Sequence, residues 1–373
     1  MKQSLNHPSD SIIRFIDKIY NSRMTTTSGG NISIKEDSGT IWVTPSAIDK
    51  GSLRRSDIIS LDPDGNIHGP HKPSSELPFH KAIYENRPDI KAVIHAHPPG
   101  LVSFSVVRQI PNTNVIPQAK HVCGAIGYAK YALPGSEELG NKIAEEFAAG
   151  KNAVIMENHG VVVGGTDIKE AFNRFETLEF TAKTLIAAAS VGKANILNNE
   201  QIERFQKINP ADIPAFEDAS YPSDELEIRT KITRLIKRAC RQQLMIGSHG
   251  TVSARWRGND FLITPADKYR WDIENEDIVQ IRGGKREKGK IPSRSTILHQ
   301  KIYEKYPDVN SIIITQTPYT MAFSITNEAM DVRTIPESWI FLQNIAQVPF
   351  GEHYANLKAV AEVIGPSYKG SVL

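Results

Sequence analysis

The apolar positions change period along the chain, and each change marks an element. Ile12, Ile13, Ile16 and Ile19 recur at helical spacing and predict a helix over 9–21. "NISIKEDSGTIWVTP" (31–45) alternates apolar and polar residues on both sides of a Ser-Gly turn and predicts two strands. "DIISLDPDGNIHG" (57–69) repeats that pattern around Asp64-Gly65. "SELPFHKAIYENR" (75–87) returns to the helical period, with Ser75 placed to cap it. "KAVIHAH" (91–97) is a short strand, 134–149 a helix, "NAVIMENHGVVVGG" (152–165) two short strands and 168–192 a long amphipathic helix. Hairpins interleaved with helices predict an α/β fold with a largely antiparallel sheet covered on both faces by helices, not a doubly wound parallel one.

The pattern then repeats. "SGGNISIKEDSGTIWVTP" (28–45) matches "SHGTVSARWRGNDFLITP" (248–265), and "KPSSELPFHKAIYENRPDIKAVIHAHPP" (72–99) matches "IPSRSTILHQKIYEKYPDVNSIIITQTP" (291–318). An offset of about 220 residues is too long for a solenoid and indicates a duplicated domain. The stretch 209–225, rich in Pro, Asp and Ser, lacks periodicity. The organisation expected is a first copy over 1–208, a linker over 209–223 and a second copy over 224–373.

The candidate chemistry sits in the first copy. His95 and His97 stand two apart on a predicted strand, so both imidazoles face one side, and Pro98-Pro99 end the strand there. Catalytic zinc takes three protein ligands and keeps one position open. His159, after an apolar strand and beside Gly160, is the best third ligand, and Glu76, a helix and turn before His95, is the natural acid–base partner. His7, His68, His71, His80 and His353 lack this context and read as solvent-facing or structural. His80 recurs as His299 in the second copy, which favours a structural role.

With "GGNIS", "VTPSA", "PSSE", "HAHPP" and "ENHG" in this order, the chain resembles the class II aldolase/adducin family, the group that includes L-fuculose-1-phosphate aldolase. The resemblance implies a three-layer α/β/α fold and active sites at subunit boundaries. It also implies Zn2+, or another divalent ion such as Mn2+, Co2+ or Fe2+, held by His95, His97 and His159, with Glu76 as catalytic acid–base. Gly30, Asn31, Thr44, Ser46, Ser74 and Ser75 match the family's phosphate-binding positions, and as a set beside a metal they read as an anion cradle. Ala47 stands where the family often has glycine. Where family aldolases use a tyrosine from a neighbouring subunit, "VIPQAKHVCG" (115–124) offers His121. The activity implied is aldol cleavage of a phosphorylated ketose through a metal-stabilised enediolate, giving dihydroxyacetone phosphate and an aldehyde. The same scaffold also supports epimerases, a dehydratase and decarboxylases, and adducin-like members use it for assembly.

The second copy has lost these groups. Ile314 and Gln316 replace His95 and His97, Ser295 stands near Glu76, Arg294 replaces Ser75, and no counterpart of His159 precedes the last residues. It reads as a silent neighbour completing the first copy's interface within a homo-oligomer, such as a dimer of duplicated chains. A net charge of +2 gives no reason to expect nucleic acid or a membrane as partner. The N-terminus lacks the apolar core of a signal peptide. With only Cys123 and Cys240, a disulfide scaffold is excluded and a cytoplasmic location is expected.

Overall fold

A computed structural model describes residues 6–217, 220–352 and 356–363. The chain divides into two compact units, 1–186 and 187–373.

The first unit is built on eight strands: β1 (Asn31–Lys35), β2 (Ile41–Val43), β3 (Ile59–Leu61), β4 (Ile67–His68), β5 (Ala92–Ala96), β6 (Ile126–Ala129), β7 (Ala153–Met156) and β8 (Gly160–Gly165). Their order is β4-β3-β2-β1-β5-β8-β7-β6, antiparallel except for the β6–β7 pair. The predicted hairpins therefore appear as β1–β2, β3–β4 and β7–β8. Helices α2 (Leu77–Asn86) and α5 (Glu137–Ala148) cover one face, where Phe79, Ile83, Ile143 and Phe147 pack on Val43, Ile59, Val93 and Val154. Phe15 of α1 (Pro8–Asn21) meets Phe172 of α6 (Ile168–Ala188), their ring centroids 5.2 Å apart. Two shorter helices, α3 (Pro99–Val106) and α4 (Pro117–Cys123), follow β5. The layers are those the periodicity predicts, since alternate strand residues must be buried on opposite sides.

Two local expectations change. Glu76, not Ser75, is the N-cap residue of α2, and the Glu76 N–H donates to Ser74 Oγ at 3.3 Å. In the β7–β8 turn the left-handed residue is Asn158 (φ 52°), not Gly160. Glycine is needed at 160 for space, because a Cβ there would stand 2.6 Å from the Ala96 carbonyl oxygen.

The second unit has a six-stranded sheet ordered β14-β10-β11-β12-β13-β9. Its strands are β9 (Ala215–Phe216), β10 (Thr251–Arg255), β11 (Phe261–Ile263), β12 (Val279–Arg282), β13 (Lys285–Glu287) and β14 (Ser311–Ile314). It also holds α7 (Asn199–Gln206), α8 (Ser223–Arg241), α9 (Thr296–Lys305), α10 (Pro318–Thr326) and α11 (Pro336–Leu342), and a short helix Leu357–Val363. Residues 187–208, expected with the first copy, group here. The stretch read as linker carries a strand, since β9 pairs in parallel with β13. Its polar composition hides two buried apolar anchors, Ile213 and Phe216, the latter beneath the Arg282 guanidinium at 4.2 Å. Among the described residues this unit has no counterpart of β6, β7 or β8, and His353 lies outside them. No helix among the described residues is long and apolar enough to cross a membrane, and Cys123 and Cys240 are buried and not joined in a disulfide.

His249 and His299 are fully enclosed in the second unit, where burial pushes their pKa values down to about 4 and about 3. Unfolded, each takes a proton near pH 6.5, so the unfolded chain binds more protons below that pH. Their contribution is complete above pH 6.5 and is lost as pH falls towards 4 and 3, at about 1.4 kcal/mol per pH unit for each histidine. The urea midpoint followed by tryptophan fluorescence is expected to drop steeply between pH 6.5 and 4.5, and less steeply in H299Q. Equal pH dependence in the two proteins would contradict this origin.

Candidate metal centre

β5 positions the first ligand. His95 is fully buried on the face that carries Val93, beneath α2, and its ring meets Phe79 edge-on at 5.7 Å. Its Nδ1–H donates to the Val161 carbonyl at 2.9 Å. A carbonyl only accepts, so in the neutral ring Nε2 carries a bare lone pair. That lone pair faces Glu76 Oε2 at 3.1 Å. His97 follows one residue past β5, its ring centroid 4.7 Å from that of His95. His159, in the β7–β8 turn, brings its ring within 4.9 Å of His95 and 5.1 Å of His97. One nitrogen of each of the three rings lies within 4.8 Å of the other two, and no other such group of three occurs among the described residues.

Glu76 closes the fourth side. Its Oε2 accepts from Asn31 Nδ2 at 2.8 Å, and its Oε1 lies 3.5 Å from His159 Nε2. Burial would raise this carboxyl, but positive charge on the His95 and His159 side and the hydrogen bond from Asn31 outweigh it and hold it well below the usual carboxylate range. Burial, with the other rings beside them, pushes His97 down to about 3 and His159 down to about 4. Both rings are then neutral, the form that binds a cation. His95 Nε2, Glu76 Oε1 and His159 Nδ1 are buried without a hydrogen-bond partner among the described residues. Acceptors facing acceptors across a few ångströms require a positive charge between them. Three imidazoles and a carboxylate are a donor set suited to zinc or a similar divalent ion.

The remaining predicted residues divide. Gly30 (φ 73°) passes so close to β5 that a Cβ would stand 2.9 Å from the His95 carbonyl oxygen. Thr44 and Ser74 are buried, and their hydroxyls accept from the N–H groups of Ile32 and Glu76. Asn31 spends its amide on Glu76 and His80. Ser46 and Ser75 are more open, on loops joined by the Pro45–Pro73 bridge. Ala47 has φ 57°, so the chain keeps the bend usual for glycine despite its methyl group. Removing that strain by Ala47→Gly is expected to stabilise the unit by about 1 kcal/mol or less, read as a urea midpoint. His121 is exposed on α4, and no hydrogen bond or ring contact joins it to the cluster among the described residues.

Sequence reasoning missed two supports. Lys50 is buried, its pKa pushed down to about 8 by burial, and its Nζ donates to the Pro45 and Ile48 carbonyls at 2.7 and 3.2 Å. It clamps the loop that carries Ser46. Glu179 of α6 accepts from the Gly100 and Leu101 N–H groups at 3.0 and 2.9 Å, anchoring α3 directly behind His97. A buried lysine and a helix-interior glutamate carry no local signature.

In the second unit the equivalent place is filled. A Cβ on Gly29 would stand 2.9 Å from His97 Nδ1. The residue matching Gly29 is His249, and the residue matching His97 is Gln316, so one change accompanies the other. Arg294 lies over the Phe205 ring at 5.2 Å.

Comparison with known proteins places the chain in a family. The family model "Class II Aldolase and Adducin N-terminal domain" matches residues 10–186 and 230–373. The chain belongs to that family and carries its domain in two copies. Among its relatives, the L-fuculose phosphate aldolase of Methanococcus maripaludis is 36% identical over 171 residues, covering 46% of this chain and 92% of that protein. The 3-oxo-tetronate 4-phosphate decarboxylase of Haemophilus influenzae is 34% identical over 168 residues (44% of this chain, 80% of that protein). The 5-deoxy-D-ribulose 1-phosphate aldolase of Bacillus thuringiensis is 30% identical over 206 residues (54% and 95%). A solved L-fuculose 1-phosphate aldolase is 31% identical with a TM-score of 0.49, covering 55% of this chain and 98% of that one.

Proposed function

We propose that the first unit is a divalent-cation-dependent carbon–carbon lyase that cleaves a phosphorylated ketose to dihydroxyacetone phosphate and an aldehyde. The observation that carries the reading is the convergence of His95, His97 and His159 on one another, with His95 and His159 against the Glu76 carboxylate and one nitrogen of each of these two left without a hydrogen-bond partner. Held by the three imidazoles, a divalent ion would supply Lewis-acid polarisation of the substrate carbonyl.

The chain's own residues do the rest. Cleaving the C–C bond turns the adjacent hydroxyl into the aldehyde carbonyl, which releases its proton to one carrier, and leaves an enediolate whose carbon must gain a proton from another. Glu76 Oε1 faces the cluster without a hydrogen-bond partner and is the oxygen placed to carry that proton, while Oε2 is held by Asn31. Ser46, Ser75 and the Gly30 backbone form the open part of a phosphate cradle, which fixes the substrate away from the reacting carbons. Thr44, Ser74 and Asn31 shape that cradle from behind. His121 is assigned as the second proton carrier, serving the site of a neighbouring copy in a homo-oligomer. The second unit, with Gln316 and Ile314 in place of two ligands, is assigned as a non-catalytic neighbour.

Decarboxylation of a phosphorylated keto acid makes the same electronic demand, and the relative named for it favours it as the second reading. The test is to load the purified chain with zinc, manganese or cobalt and supply L-fuculose 1-phosphate, 5-deoxy-D-ribulose 1-phosphate and 3-oxo-tetronate 4-phosphate. Dihydroxyacetone phosphate from either ketose supports the aldolase. Carbon dioxide release alone supports the second reading. No product from the ion-loaded chain would overturn both.

A further inference from the structure

A chain of hydrogen bonds with a single direction runs behind the Glu76 carboxylate. Tyr84 OH lies 2.7 Å from Ser33 Oγ, and Ser33 Oγ lies 2.7 Å from His80 Nδ1. His80 Nε2 lies 2.5 Å from Asn31 Oδ1, and Asn31 Nδ2 lies 2.8 Å from Glu76 Oε2. The partners assign the protons. A carboxylate only accepts, so Asn31 turns its amino group to Glu76 and its carbonyl to His80. That carbonyl only accepts, so the His80 proton is on Nε2. Nδ1 then accepts from Ser33, which accepts from Tyr84. Burial keeps His80 neutral, pushed down to about 3, and preserves this order.

The ladder follows from how a helix lies on a strand. Glu76, His80 and Tyr84 recur every four residues along one stripe of α2, a rise of about 6 Å per step. Asn31 and Ser33 are two apart on β1, a rise of about 6.6 Å. The near-equal steps let the two rows interleave. The register Asn31↔His95 and Ser33↔Val93 turns that row to the same face as His95.

The second unit is an internal control. Ser253, His299 and Tyr303 repeat the lower rungs, with Ser253 Oγ 2.7 Å from both His299 Nδ1 and Tyr303 OH. There Thr251 replaces Asn31 and pairs with Ser293 at 2.7 Å, Ser295 replaces Glu76, and His299 Nε2 is buried without a partner among the described residues. The lower rungs belong to the fold in both copies. Only where a carboxylate exists does an asparagine connect them to it.

We propose that Asn31 and His80 are positioning residues for Glu76: the ladder locks the Asn31 amide in the one orientation that donates to Oε2, the oxygen beside His95, and leaves Oε1, on the His159 side, without a hydrogen-bond partner. The inference deepens the reading of Glu76 as the proton carrier and rests on it. The test uses the full chain with ¹⁵N labelling. His80→Phe keeps the ring that stacks on Phe79 but removes both nitrogens, His80→Gln restores a donor and an acceptor, and His299→Phe makes the matched change in the second unit. Exchange of the Asn31 side-chain amide protons is expected to quicken about ten-fold or more in H80F, to return near wild type in H80Q and to be unchanged in H299F. Turnover is expected to fall roughly ten- to hundred-fold in H80F at unchanged KM and ion content, to recover in part in H80Q and to be untouched by H299F. Unchanged amide protection in H80F, or equal loss of turnover in H80F and H299F, would overturn the proposal. If H80F does not fold, Asn31→Asp reads the same link by replacing the donor with an acceptor: turnover falls if the link positions Glu76, and unchanged turnover overturns it. Wild type that binds the ion yet cleaves nothing would refute the activity, while amide protection that still responds to H80F would uphold the ladder.

Discussion

Turnover of the E76Q variant is expected to fall by roughly 10²–10⁴-fold while the ion content stays near one per chain. Glutamine keeps the size of the side chain and can still accept from Asn31 Nδ2 through its carbonyl. It cannot take or give a proton near neutral pH. The three imidazoles that would hold the ion are untouched, His95 keeps its hydrogen bond to the Val161 carbonyl, and His159 is carried by the β7–β8 turn. Kinetics and elemental analysis on the same preparation check the prediction. Loss of ion and activity together would recast Glu76 as an indispensable ligand, and unaltered turnover would remove it from the chemistry.

The second large effect is expected from His97→Ala, with ion content well below one per chain and turnover lost. His97 contributes a ring at the edge of the sheet rather than a rung of the core, so the ion-free variant is expected to unfold close to ion-free wild type. The difference appears on adding the ion. Wild type gains about 2.7 kcal/mol of stability at a hundred times the dissociation constant, and H97A gains almost none. Calorimetry against zinc or cobalt, with the unfolding midpoint measured in parallel, reads both. The stoichiometry matters as well. With Ile314 and Gln316 in the second unit, one ion per chain is expected, and two would contradict the reading of that unit.

The features legible in the sequence are those set by neighbouring residues. The helical stripe of α1, the hairpins β1–β2 and β3–β4 and the two-residue spacing of His95 and His97 all follow from local periods. The duplication also made the second unit a comparison within one chain, so that His80 and His299 marked a shared scaffold. The boundary near 187 was not legible, because Ile213 and Phe216 lie within a stretch whose average composition is polar. The hydrogen bonds of Asn31 were not legible for a related reason. As one of a set of small polar residues beside a metal, Asn31 reads as part of a phosphate cradle. Its partners, Glu76 and His80, lie far along the chain and are chosen by the packing of α2 on β1.

By itself the sequence determined most of the first copy's element order, the doubled domain, the family and three histidines with the glutamate beside them as the candidate chemistry. These rest on residue identity and short-range spacing, which a linear chain carries without folding. Only the tertiary structure decided that one nitrogen from each of the three rings lies within 4.8 Å of the others, that His95 and His159 face the Glu76 carboxylate, and that this carboxylate is held from behind by Asn31. Sheet register and helix placement set those relations by bringing distant backbone segments together to bury apolar faces, and no local pattern specifies their outcome.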